Sequence, residues 1–274
     1  MSSESAAEPA PTASFTFDVD GEASWLTMHP DNVNRPGLLS QGVYGPKVGV
    51  PLILDVLAKH DVTATFFVPG LIADRYEDVV AAIAAAGHEL AVHGYTHTAP
   101  ALLTAREEAD EMDRALETLR RFTPTVVGYR SPSWDIGPNT LGLLAARDFL
   151  YASQFMDDIR PYRHTGLKML ELPVQWMLDD WPHFAWFPGE SARSIKSTAE
   201  VEGIWREEFD GIRRLRGSYI LTMHPQVIGR PSRLDLLDRM LTHVRGFEDV
   251  EILTCLEIAT RHDALLPFDA SSRS

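Results

Sequence analysis

The feature that most constrains this chain is a rhythm. Short apolar stretches of strand character alternate with helical ones from residue 14 to residue 253. In 14–20, Phe15, Phe17 and Val19 alternate with Ser14, Thr16, Asp18 and Asp20, the period of two that marks a strand. Further strands are predicted at 64–68, 89–92, 125–128, 150–152, 170–172, 218–223 and 250–253. Helices are predicted at 48–60, 77–86, 104–121, 139–147, 200–215 and 233–245. Thr104 followed by Glu107 is a capping box that fixes the start of the third helix. Strands alternating with helices build a parallel sheet, and seven or eight such units in one domain suit a barrel better than an open sheet. The expected fold is therefore α/β, one TIM-like barrel over 14–274 behind a disordered tail at 1–13. The segment 25–47 holds Gly, Pro and Asn without periodicity and reads as a long, functional loop.

Charge narrows the function. The chain of 274 residues carries 25 Lys and Arg against 39 Asp and Glu, a net charge of -14. Bulk charge thus argues against nucleic acid and anionic membranes as partners. No apolar run is long enough to span a bilayer. The N-terminal stretch lacks the basic and apolar regions of a secretory signal, so a cytoplasmic location is expected. The lone Cys255 excludes an intrachain disulfide and reads as a core residue. A small-molecule substrate and a homo-oligomer are both compatible with this composition.

In a barrel, motifs at the carboxyl ends of strands meet on one rim. Asp18 and Asp20, two apart on the first strand, share a face; the bland alternative is a pair of solvated loop aspartates. His93 and His97, four apart after the third strand, could offer two imidazoles to a metal or simply sit in a loop. Arg130 follows the fourth strand, and His224 ends the strand at 218–223. Asp20, His93 and His97 together make one carboxylate and two imidazoles, the three-ligand pattern of a catalytic divalent metal such as zinc. Asp18 is placed to take a proton from water. Arg130 could hold Asp18 ionised or form a surface ion pair. His224 could protonate a leaving nitrogen or be a satisfied histidine at a strand end.

These motifs resemble the polysaccharide deacetylase family, the NodB-like or carbohydrate esterase family 4 group. Thr16-Phe17-Asp18-Val19-Asp20 is similar to its first motif, His93-Gly94-Tyr95-Thr96-His97 to the second, Arg130-Ser131-Pro132 to the third and Leu221-Thr222-Met223-His224 to the fifth. The resemblance implies a distorted (β/α)7 barrel, the NodB homology fold, and metal-dependent hydrolysis of an amide C–N bond. It implies Asp18 as base, Asp20, His93 and His97 as ligands, His224 as acid and Arg130 as the partner of Asp18. Two departures bear on the substrate. Val19 separates aspartates that are adjacent in the secreted sugar deacetylases. Ser133 also stands where an aromatic residue often follows the proline, with Trp134 one later. The separated aspartates resemble a cytoplasmic branch with peptidoglycan-deacetylase-like, allantoinase-like and cyclic imide hydrolase members.

The segment 175–189 concentrates Trp176, Trp181, Phe184, Trp186 and Phe187 around Asp179 and Asp180. It reads as a substrate lid or as a packing or subunit contact. Glu22, Trp25, Ser133, Trp134, Asp180 and Trp181 are the candidates for the substrate pocket. The expectation is a hydrolase of a small amide, a cyclic imide or ureide. The alternatives are deacetylation of an N-acetyl sugar or peptidoglycan, and a non-catalytic carbohydrate-binding or scaffold protein.

Overall fold

Nine strands carry the fold in the computed structural model, which describes residues 9–186, 194–266 and 268. They are β1 (Thr12–Asp18), β2 (Thr65–Val68), β3 (Glu89–Val92), β4 (Gly128–Tyr129), β5 (Tyr151–Ala152), β6 (Tyr162–Arg163), β7 (Leu170–Glu171), β8 (Ser218–Met223) and β9 (Glu251–Ile252). Seven of them, in the order β7-β5-β4-β3-β2-β1-β8, run parallel. β6 lies antiparallel on β7, and β9 pairs with the first two residues of β1. Beyond β7, Asp179 forms a parallel bridge with Thr222 of β8, curling the sheet towards closure. The product is the expected distorted barrel.

The strand faces divide two cores. Phe15, Phe17, Phe66, Val68 and Val92 join helical side chains such as Ile53, Leu57, Ile83 and Leu116 in the larger one. Phe67 and Ala91, on the opposite face, meet Tyr151, Leu170 and Ile220 inside the barrel. β1 is buried along its whole length because both faces are covered. Its polar face, Ser14, Thr16 and Asp18, therefore points into the barrel, where each group needs a partner.

Local chemistry sets the helix starts. Thr104 with Glu107, Ser197 with Glu200 and Thr254 with Glu257 each form a reciprocal capping box. The second begins a helix at Thr198–Arg214, earlier than expected. Three further expectations need correction. The segment 25–47 is not a loop: it folds as helices at Ala23–Met28 and Pro36–Tyr44, with a 3-10 turn at Pro30–Asn34 between them. Pro30 and Pro36 stand at first helical positions, where a missing N–H costs nothing. The strand expected at 125–128 is only Gly128–Tyr129, in register with Val92. Of the expected tail, 1–8 lies outside the described residues, and Thr12 and Ala13 already belong to β1. No described helix is long and apolar enough to cross a membrane.

Candidate active site

At the carboxyl end of the barrel is a cavity of about 550 Å³, with Asp18, Asp20, His93, His97 and His224 in its wall. Asp18 ends β1, and Asp20 follows it before the Gly21 turn, whose φ is +52°. Arg130, fully buried, anchors Asp18: its Nη1 donates to Asp18 Oδ1 at 2.8 Å and to Thr16 Oγ1 at 2.8 Å. Nη2 donates to Ser153 Oγ and Nε to the Ser153 carbonyl, while the guanidinium lies 4.0 Å from the Phe67 ring centre. The surface ion pair that competed for Arg130 in the sequence is excluded by this burial.

His93 and His97 sit in a loop, not on a helix. Glu111, from the helix Ala105–Leu119, accepts hydrogen bonds from the backbone N–H groups of Tyr95 and Thr96 and from the Thr96 hydroxyl, pinning that loop. Gly94 is left-handed (φ +69°), and a side chain there would press on Pro132 at 3.3 Å. His93 Nδ1 donates to the Arg130 carbonyl at 2.8 Å, which turns Nε2 and its lone pair towards Asp20. His93 Nε2 is 3.4 Å from Asp20 Oδ1, and His97 Nε2 is 3.4 Å from Asp20 Oδ2. One donor atom from each of the three lies within 4.8 Å of the others.

This set fits a divalent ion. Asp20 Oδ1 is buried and has no hydrogen-bond partner among the described residues. Ligands about 2.0–2.2 Å from one tetrahedral ion stand roughly 3.3–3.6 Å apart, the spacing seen here. Burial would raise the Asp20 pKa, but His97, His224 and His93 outweigh it and hold the carboxyl well below the usual range. Burial, with the neighbouring His97, lowers His93 against the pull of Asp18 and Asp20. A charged carboxylate and a neutral imidazole are the forms that bind metal.

Across the cavity, His224 follows β8. Asp180 Oδ1 accepts from His224 Nδ1 at 2.7 Å, and Asp180 Oδ2 from the His224 backbone N–H at 3.0 Å. Nε2 then faces the cavity, 3.7 Å from Asp20 Oδ2. Burial pulls the His224 pKa down, yet Asp180, Asp179 and Asp20 hold it well above the usual value. The Trp181 ring meets His224 edge-on at 5.0 Å and Trp25 at 5.6 Å.

The structure brings ten of the expected residues to this site, in two roles. Asp18, Asp20, His93, His97, His224, Ser133, Trp134 and Trp181 line the cavity, while Arg130 and Asp180 stand behind it. Ser133 and Trp134 are both left-handed, with φ of 59° and 53°, a strained backbone that turns Trp134 onto Trp176 at 4.4 Å. Three expected pocket residues are displaced from the wall. Glu22 is buried in an ion pair with Arg75 at 2.7 Å. Trp25 backs Trp181 and opens on a separate cavity. Asp180 is fully buried beneath His224. Thr27, Met28, Thr98, Leu102 and Asp179 also line the wall, none of them among the expected pocket residues. Thr27 and Met28 were hidden in the segment misread as a loop, whereas Asp179 was visible beside Asp180. Of the aromatic segment, Trp176 and Trp181 line the cavity, Phe184 and Trp186 line the separate one, and 187–189 lies outside the described residues.

A parallel barrel carries on one rim a carboxylate–guanidinium pair, a triad that could hold a cation and an acid-paired histidine, a set suited to hydrolytic chemistry. The sequence profile described as Polysaccharide deacetylase matches residues 44–151. The crystal structure of a Mycobacterium smegmatis protein assigned as a polysaccharide deacetylase is 36% identical, with 96% of this chain and 93% of that one covered and a TM-score of 0.90. This chain belongs to the polysaccharide deacetylase family, hydrolases that act on amide C–N bonds. The peptidoglycan deacetylase of Helicobacter pylori is 27% identical over 89% of this chain and 94% of its own length. An allantoinase crystal structure shares the fold, at 22% identity and a TM-score of 0.83 over 96% of this chain and 94% of its own.

Proposed function

We propose that this chain is a divalent-metal-dependent deacetylase that removes the acetyl group of an N-acetylated amino sugar. The observation that carries the reading is the convergence of Asp18, the Asp20–His93–His97 triad and His224 on one cavity. The full-length similarity to the Helicobacter pylori peptidoglycan deacetylase supports an amino-sugar substrate. This reorders the sequence expectation, in which the cyclic imide or ureide came first.

Asp20, His93 and His97 would hold the ion, for which zinc suits the mixed nitrogen and oxygen donors. When bound, it supplies Lewis acidity that polarises an amide carbonyl and acidifies water. Asp18, kept in place by Arg130, takes the proton from the attacking water as its oxygen bonds to the acetyl carbon. His224 Nε2 gives its proton to the sugar nitrogen as the C–N bond breaks, leaving acetate and a free amine. Asp180 accepts from Nδ1 throughout, fixing the ring so that Nε2 faces the reacting atoms. Trp134, Trp176 and Trp181 wall the cavity with flat apolar faces suited to a sugar ring.

One observation favours hydrolysis of a small cyclic imide or ureide as a second reading. A cavity of about 550 Å³ suits a compact ligand. The deciding experiment loads the protein with zinc and measures acetate release from N-acetylglucosamine oligomers beside ring opening of hydantoin and succinimide. Acetate release alone supports the first reading, and ring opening alone replaces it with the second. Neither activity, with one ion bound per chain, would reduce the protein to a binding module.

A further inference from the structure

Three carboxylates, Asp18, Asp20 and Asp179, line the cavity, and no Lys or Arg lines it among the described residues. Two of the three have evident tasks. Asp18 is matched by Arg130, and Asp20 belongs to the cation triad. Asp179 has none. Its Oδ1 accepts from the Trp181 backbone N–H at 2.7 Å and lies 3.7 Å from His224 Nδ1. That nitrogen already donates to Asp180 at 2.7 Å. Oδ2 of Asp179 accepts no hydrogen bond among the described residues, although the side chain is almost wholly buried. The bridge to Thr222 fixes the backbone at this position, and the Trp181 N–H holds Oδ1, so the carboxyl is kept in place at the cavity wall. Burial raises its pKa to about 7 against the pull of His224, with the charges of Asp180 and Asp18 adding, so the group is mainly a carboxylate above neutral pH. Asp179 lines the cavity, so water there donates to Oδ2 until a ligand N–H or O–H takes its place.

We propose that Asp179 is a specificity-determining residue, which accepts a hydrogen bond from an N–H or O–H beside the scissile amide and turns away substrates that carry a carboxylate there. A ligand carboxylate would meet this fixed acid with no Lys or Arg in the wall to offset it, and His224 beside it is already paired with Asp180. A neutral ligand with a hydroxyl or amide N–H finds an acceptor already in place. The inference rests on the amide-hydrolase reading and deepens it: the preferred substrate is uncharged next to the amide that is cut.

The test compares two sugars that differ at O3, N-acetylglucosamine with a free hydroxyl and N-acetylmuramic acid with a lactyl ether that bears a carboxylate, on the zinc-loaded protein at about pH 8. Affinity is read from quenching of the cavity tryptophans, and kcat and KM from acetate release. Wild type should prefer the neutral sugar by about tenfold or more, and Asp179→Asn should shrink that preference to about threefold or less, mainly through KM. Asp179→Ser, also neutral, should do the same, and circular dichroism of both variants should match wild type. Asp180→Asn should alter the pH profile and keep the preference, which separates recognition from support of His224. An unchanged preference in both folded Asp179 variants overturns the proposal, as does equal wild-type affinity for the two sugars. If neither sugar binds, the amino-sugar reading falls. The same ratio measured with hydantoin and hydantoin-5-acetic acid then decides the role of Asp179 by the same criteria.

Discussion

Replacing Arg130 by Met tests the centre of the structural argument. The guanidinium is fully buried and donates to Asp18, Thr16 and Ser153. Methionine fills part of its volume and removes every donor. Asp18, itself 2% exposed, would be left as a buried charge without its guanidinium. Breaking a buried pair in this way costs about 3–5 kcal/mol. At about 2–4 °C per kcal/mol for a chain near this size, Tm should fall by roughly 6–20 °C. The informative comparison is the double variant Arg130→Met with Asp18→Leu. Removing both charges removes the uncompensated one, so the double variant should recover about 2 kcal/mol or more relative to the sum of the two single changes. Urea melts of metal-free protein, followed by tryptophan fluorescence and by circular dichroism, give the three free energies. Additive losses, or a cost below about 1 kcal/mol for Arg130→Met alone, would refute the claim that this pair is a buried and mutually dependent unit.

Three further outcomes are expected. Asp18→Asn should keep about one ion per chain by elemental analysis while kcat falls about 10²- to 10⁴-fold, and wild-type kcat would mean that another group takes the proton. His93→Ala with His97→Ala should abolish metal binding at an unchanged circular dichroism spectrum; full occupancy would exclude the triad as the ion's site. His224 has a folded pKa raised above its ordinary 6.5, so its stabilising contribution to metal-free protein is complete below that value and disappears as pH rises through the folded pKa. Stability measured between pH 6 and pH 10 should therefore fall more steeply for wild type than for His224→Gln, and parallel curves would contradict the Asp180–His224 pairing.

What the sequence made legible was whatever depends on neighbours in the chain. The capping box at Thr104 is local chemistry, and it stands where the spacing put it. The alternation in β1 separated Phe15 and Phe17 from Thr16 and Asp18, and the strand does present these sets to opposite sides. What alternation could not tell is that the polar face points into the barrel, because that depends on Arg130 arriving from more than a hundred residues away. The segment 25–47 misled because proline was read as a breaker, when Pro30 and Pro36 begin helices. Asp180 looked like a pocket residue by its position beside Trp181. Only the pairing of Asp179 with Thr222 shows that it lies under His224. Glu111 gave no signal at all, since its role is to hold the backbone of a distant loop.

The bridge between Asp179 and Thr222 has a consequence for how the machine can fail. It is the join where the sheet comes round on itself, and the two parts of the rim stand differently to it. The cation triad is built on β1 and β3, linked through β2 by continuous parallel pairing. The proposed proton donor is built across the join, with His224 on one side and Asp180 on the other. A local opening at that point would strip His224 of the acid that aims it and leave Asp20, His93 and His97 untouched. Heat, denaturant or a destabilising substitution at the join would thus yield a chain that still takes up its ion and no longer turns over. The proposed roles thus make metal content and activity separable, and the first is expected to be the harder to lose.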